Sequence, residues 1–129
     1  MSFISTKTHA ILDYTVGVSL IAAPMIFEFH DGTAVSWIPI FNGVLLVLLS
    51  IFTRYEGGIF RAVSMKTHLT IDVLAGIGLT LSPWIFGFAE VIFLPHLLLG
   101  LSEIAAGLLT DRSPFPLGKE LFSRTAHHS

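Results

Sequence analysis

The chain has 129 residues, of which 53% are apolar and only 12% charged, with a net charge of −2 and no cysteine. Soluble domains carry about 25% charged residues, so a chain this short lacks the charge to cover a surface facing water. An ordinary water-soluble domain is therefore excluded, and the lack of cysteine leaves the redox compartment unread.

Four charge-poor stretches follow one another along the chain: residues 10–29, 37–53, 69–88 and 91–110. Each is long enough for a helix to cross about 30 Å of hydrocarbon at about 1.5 Å per residue. In the second, Gly43-Val-Leu-Leu-Val-Leu-Leu-Ser-Ile-Phe52 is apolar on every side. A helix without a polar stripe belongs in lipid or in the core of a large protein, and this chain is small. A soluble four-helix bundle would need that stripe on every helix.

The first and third stretches open on the same polar signature. Ser5-x-Lys7-Thr8-His9-x-x-x-Asp13-x-x-x-Gly17 recurs as Ser64-x-Lys66-Thr67-His68-x-x-x-Asp72-x-x-x-Gly76, and the same shift of 59 residues pairs Leu20 with Leu79, Pro24 with Pro83, and Phe29 with Phe88. A match this dense at one offset marks an internal duplication. The first segment also has the outline of a secretory signal, ending in Ala22-Ala23. Its twin lies inside the chain, so it reads as a span. The fold expected is all-α: an integral membrane four-helix bundle of two parallel, internally duplicated hairpins. The boundaries expected are 1–58 for the first repeat, 59–112 for the second and 113–129 for a tail.

Charge placement predicts orientation. Lys7 precedes the first span, Arg54, Arg61 and Lys66 lie between the second and third, and Arg112, Lys119 and Arg124 follow the fourth. The other two connections carry Glu28, Asp31 and Glu90. The positive-inside rule puts both termini in the cytoplasm, with the chain in the cytoplasmic membrane. Trp37 and Trp84 then fall at the outer aromatic belt, and His96 reads as an interfacial polar residue. Pro24 and Pro83 are expected to kink or end their spans. The stripes Thr15, Ser19, Ala23 and Gly78, Ser82, with Ser102 and Ala106, mark where helices should meet closely.

The ionisable residues inside the spans are the candidates for chemistry. His and Asp four apart share a helix face. Thr8 and Thr67 are expected as N-caps, which puts His9 and His68 near the interface and Asp13 and Asp72 about 6 Å deeper. Glu103 lies at a similar depth in the last span and has no acidic counterpart in the first repeat. One polar cluster of His9, Asp13, His68, Asp72 and Glu103 is expected, because charge at membrane depth is costly and turns inward. It serves as glue between hairpins, as an ion- or proton-handling site, or as a metal or haem site. Two histidines with carboxylates suit zinc, manganese or iron, but no E-x-x-H or H-E-x-x-H signature occurs, so no metal and no cofactor is assigned. His127-His128 reads as an ordinary polar terminus. No catalytic residue, phosphate loop or nucleic-acid surface is indicated.

Leu81-Ser82-Pro83-Trp84-Ile85-Phe86-Gly87-Phe88, downstream of Thr67-His68-x-x-x-Asp72, resembles the motif of the SPW-repeat integral membrane proteins. The resemblance covers residues 5–110 and rests on the repeat motif Ser82, Pro83 and Trp84. The first copy departs from it, with Ala23-Pro24-Met25 in place of the tripeptide and Glu28 in place of Gly87. The resemblance implies a small bacterial membrane protein built from two-span repeats and brings no established activity. The function expected is a non-enzymatic scaffold or accessory subunit, packed among lipids against a second copy or a larger complex. The alternative is a transporter-like, ion- or proton-handling protein, and third comes a redox protein holding a metal or haem.

Overall fold

Two serines start the two leading helices. The computed structural model describes residues 3–114, and in it Ser5 and Ser64 are extended and accept, through their hydroxyls, the amides of Thr8 and Thr67. The caps therefore lie three residues before those expected. Thr8 and Thr67 sit in the first turn, where their hydroxyls accept from the capping serines at 3.0 and 2.9 Å. Both residue types cap well, and the earlier one in each signature takes the role. The two copies do so identically.

The described residues form four helices, α1 (Thr6–Ile26), α2 (Ala34–Ile51), α3 (Met65–Ile85) and α4 (Leu94–Leu109). Three are long and apolar enough to cross a membrane, whereas α4 has 16 residues. Pro24 and Pro83 do not end their helices, which run on to Ile26 and Ile85. Each proline carbonyl instead accepts two amides of the following turn, from Phe29 and His30 in one copy and Phe88 and Ala89 in the other. The turn then leaves through a left-handed residue, Glu28 in the first copy and Gly87 in the second.

Within each repeat the two helices touch through paired glycines. A Cβ on Gly43 would come within 2.5 Å of the Gly17 carbonyl oxygen, and one on Gly100 within 2.8 Å of that of Gly76. Backbones this close exchange dispersion contacts where lipid offers no hydrophobic drive for association. Of the stripes expected from the sequence, Ala23 and Ser82 are buried, but the glycine pairs that make the close approach lie outside the stripes. Thr15, Ser19, Gly78 and Ser102 are exposed, and a Cβ on Gly78 would meet nothing within 4 Å. Helix approach requires small residues facing each other on two helices, and a stripe along one helix does not reveal the partner.

Between repeats, α2 packs against α3 and α1 against α4, so α1 and α3 face each other across a diagonal. The end of the bundle where α1 and α3 begin is closed by two short backbone pairings related by the duplication. Val63, leading into α3, pairs with Thr53 beyond α2, and Ile4, leading into α1, pairs with Thr110 beyond α4. Each lead-in is thereby tied to the other repeat, and the two ends of the described chain meet. Phe41, Leu45, Leu48, Leu74, Leu98, Leu101 and many other large apolar side chains point outward, as lipid-facing surfaces require. The tail expected at 113–129, with Lys119, Arg124, His127 and His128, lies outside the described residues from 115 onward.

Candidate functional site

His9 and Asp13 stand on the first turns of α1, and His68 and Asp72 at the matching places on α3. A spacing of four residues stacks each pair on one face, and packing turns both faces to the bundle centre. His9 and His68 are 0% exposed, Asp13 4% and Asp72 2%. The aspartates lie about 10 Å along the axis from their helix starts.

The four side chains close a ring. His9 Nε2 lies 3.0 Å from Asp13 Oδ1 and 2.8 Å from Asp72 Oδ2. His68 Nε2 lies 3.1 Å from Asp13 Oδ2 and 3.2 Å from Asp72 Oδ2. Every histidine thus meets its own aspartate and that of the other repeat. The contacts differ in kind. His9 makes a directed hydrogen bond to Asp72, whereas His68 Nε2 points between the two carboxylates without a well-aligned partner.

Both outer ring nitrogens are held by threonines. His9 Nδ1 lies 2.6 Å from the Thr110 hydroxyl oxygen, and His68 Nδ1 lies 2.7 Å from that of Thr53. Each hydroxyl donates its one hydrogen to the carbonyl four residues earlier, Ala106 for Thr110 and Leu49 for Thr53, at 2.6 Å. A hydroxyl has a single hydrogen to give, so each threonine must accept from its histidine. Nδ1 therefore carries hydrogen in both rings, and the tautomer follows from the network. Neither threonine was among the residues singled out from the sequence. The signal existed, because Thr53 and Thr110 are 57 residues apart, the same shift that relates Gly43 to Gly100. Gly76 and Gly100 are two residues closer in the chain than Gly17 and Gly43, so the shift falls from 59 to 57 and a search at 59 misses them.

Tyr55 adds a fifth group. Fully buried in the loop between α2 and α3, it donates its hydroxyl to Asp13 Oδ2 at 2.5 Å. Burial, then the charge of Asp13 beside it, hold the phenol above its ordinary range, so it remains a donor.

Glu103 takes the place that Leu46 holds in the first repeat and does not enter the ring. It lines a cavity of about 50 Å³ together with Asp13, Asp72, Leu46 and Ser102. Both its carboxyl oxygens and Asp72 Oδ1 are buried without a hydrogen-bond partner among the described residues. A cavity of this size holds a water or a small ion.

His96 is buried within the bundle. Its Nε2–H donates to the Val35 carbonyl at 2.9 Å, joining α4 to α2 across the other diagonal. Phe29 and Phe88, equivalent by the duplication, flank its ring at 5.6 and 5.0 Å. In the repeat motif, Ser82 and Pro83 are buried and Trp84 is exposed; the Ser82 hydroxyl donates to the Leu79 carbonyl.

A four-helix bundle with apolar flanks, a proline before the turn of each hairpin and a ring of histidines and aspartates between two copies defines a small duplicated membrane protein. The SPW repeat domain matches residues 7–110, and the chain belongs to that family. Neither the curated proteins nor the solved structures contain a match.

Proposed function

We propose that the chain is a membrane scaffold or accessory subunit whose two hairpins are clasped by the His9–Asp72 and His68–Asp13 contacts. The observation that supports it is the reciprocity of the ring, in which each histidine is shared between the two repeats. Buried charges are tolerated when paired and hydrogen-bonded, and removing one partner of such a pair costs about 3–5 kcal/mol. Such a clasp fixes which faces of α1 and α3 turn inward, leaving the outer apolar faces to pack against lipid, a second copy or a larger complex. In this reading the protein lies in the cytoplasmic membrane with both termini inside. Lys7, Arg54, Arg61, Lys66 and Arg112 all belong to the end of the bundle where the two pairings close.

The test is Asp13→Asn and Asp72→Asn, each measured for stability in detergent and for assembly in native membranes. A clasp loses stability while the chain still inserts; unchanged stability in both variants contradicts it.

A second reading, ion or proton handling, is favoured by the unpartnered Glu103 oxygens in the cavity beside the ring. It requires Glu103→Gln to abolish flux in proteoliposomes while leaving assembly intact.

A further inference from the structure

Beyond clamping the hairpins, the ring has the composition and shape of a metal site. We propose that His9, Asp13, His68 and Asp72 bind one divalent transition-metal ion of the zinc class. The inference rests on the clasp described above and names the ligand that clasp takes.

Three observations on the ring carry it. First, the four side chains each bring one donor atom within 4.8 Å of all the others, and every one is buried. Zinc bound at about 2.0–2.1 Å by histidine and carboxylate sets neighbouring tetrahedral ligands a little over 3 Å apart. The histidine nitrogens lie 2.8, 3.0, 3.1 and 3.2 Å from carboxylate oxygens of the ring, His9 facing Oδ1 of Asp13 and His68 its Oδ2. Small outward shifts of each side chain would admit an ion.

Second, the tautomer is already set. Thr53 and Thr110 hold the hydrogen on Nδ1 of both histidines, which leaves Nε2 as the atom facing the carboxylates. Metal-binding histidines characteristically donate their other ring N–H to a fixed acceptor, which orients the ring and raises its basicity. Here both histidines do so, through acceptors that the pseudo-symmetry places at equivalent points. Third, His68 Nε2 is fully buried, aimed between Asp13 and Asp72, and lacks a well-aligned hydrogen-bond partner. A hydrogen on that nitrogen is split between two oxygens, whereas a lone pair directed there meets an ion at the centre.

Charge agrees with this assignment. With a hydrogen on each Nε2, the ring is two imidazoliums against two carboxylates. With both Nε2 lone pairs free, it carries −2, which one divalent ion neutralises. The ring is thus neutral with two protons or with one M²⁺, and binding the ion releases the two protons. Either state suits a low-dielectric setting, where net charge is expensive. Two imidazoles with two carboxylates suit zinc, iron or manganese better than calcium, which takes 6–8 oxygen ligands.

The test uses the full chain purified in detergent, stripped with chelator and titrated with Co²⁺. The stoichiometry is read by elemental analysis and the geometry from the visible ligand-field bands. Expected is one Co²⁺ per chain with the intense bands of a tetrahedral site, displaced by Zn²⁺. His68→Gln should abolish stoichiometric uptake. Thr53→Val and Thr110→Val, which keep all four ligands, should weaken it about 10–100-fold. A His127→Ala/His128→Ala variant should bind as the parent does. The proposal is overturned if the folded parent takes up no Co²⁺, or gives a six-coordinate spectrum. Undiminished uptake by His68→Gln, or loss of uptake with the two tail histidines, also overturns it. If His68→Gln fails to fold, the spectrum of the parent and the two threonine variants still decide. A stable parent that refuses metal removes this inference and leaves the clasp standing, whereas the clasp itself falls if the aspartate variants lose no stability.

Discussion

The Thr110 hydroxyl, just beyond the last helix, accepts a hydrogen bond from Nδ1 of His9 in the first, at 2.6 Å. Its counterpart is Thr53 on His68 at 2.7 Å. Each threonine serves the histidine of the other repeat, so the interlock is reciprocal. Replacing either with valine keeps the shape and leaves a buried Nδ1–H without an acceptor, a loss of about 1–3 kcal/mol. Thr53→Val and Thr110→Val should lower stability to denaturant by similar amounts. A large effect at one and none at the other would break the pseudo-symmetry.

The glycine contacts separate two kinds of small residue. Gly43→Ala pushes a Cβ against the Gly17 carbonyl, an atom of backbone that cannot swing aside, and should cost about 1–3 kcal/mol as overpacking does. Gly78→Ala meets open space on an exposed helix face, where alanine has the better helix propensity by about 1 kcal/mol. Thermal unfolding in detergent should show the first variant less stable and the second unchanged or more stable.

Asp31 holds the turn between α1 and α2. Its Oδ1 accepts the Thr33 amide at 2.9 Å, the Thr33 hydroxyl at 2.7 Å and the Ser36 hydroxyl at 2.9 Å. These bonds, those from Thr33 foremost, hold its carboxyl below the ordinary range. With the folded pKa depressed, the stabilisation is fully present above the unfolded value near 4, and it is lost as pH falls through the folded value. The protection factor of the Thr33 amide, the slowing of its exchange relative to an unstructured amide at the same pH, should therefore hold at neutral pH and fall only in strong acid. Asp31→Asn should flatten that dependence, and an equally steep profile in the variant would assign the protection to another group.

Much of the architecture was legible because the duplication falls on residues that do structural work. The paired Ser-x-Lys-Thr-His-x-x-x-Asp signatures placed His9, Asp13, His68 and Asp72 on matching faces, and lipid as solvent forced those faces inward. What was not legible depends on contacts between helices. Thr53 and Thr110 are hidden by the change of shift from 59 to 57 between the two halves of the repeat. Gly43 and Gly100 acquire meaning only opposite Gly17 and Gly76. His96 follows Pro95 at a span end, where a polar residue ordinarily faces the interface; its burial comes from Phe29 and Phe88 closing over it. Glu103 was expected within the cluster and instead borders it, because the ring is already complete with four members.

The contact between His9 and Asp72 is the shortest of the four and joins the two repeats directly. A double-mutant cycle with His9→Gln and Asp72→Asn, read by reversible unfolding in detergent, measures their coupling. Residues sharing one buried network couple by about 0.5–3 kcal/mol, and a favourable coupling in that range is predicted. Single-variant losses that simply add, within about 0.3 kcal/mol, would mean that the two repeats are not held together by this ring.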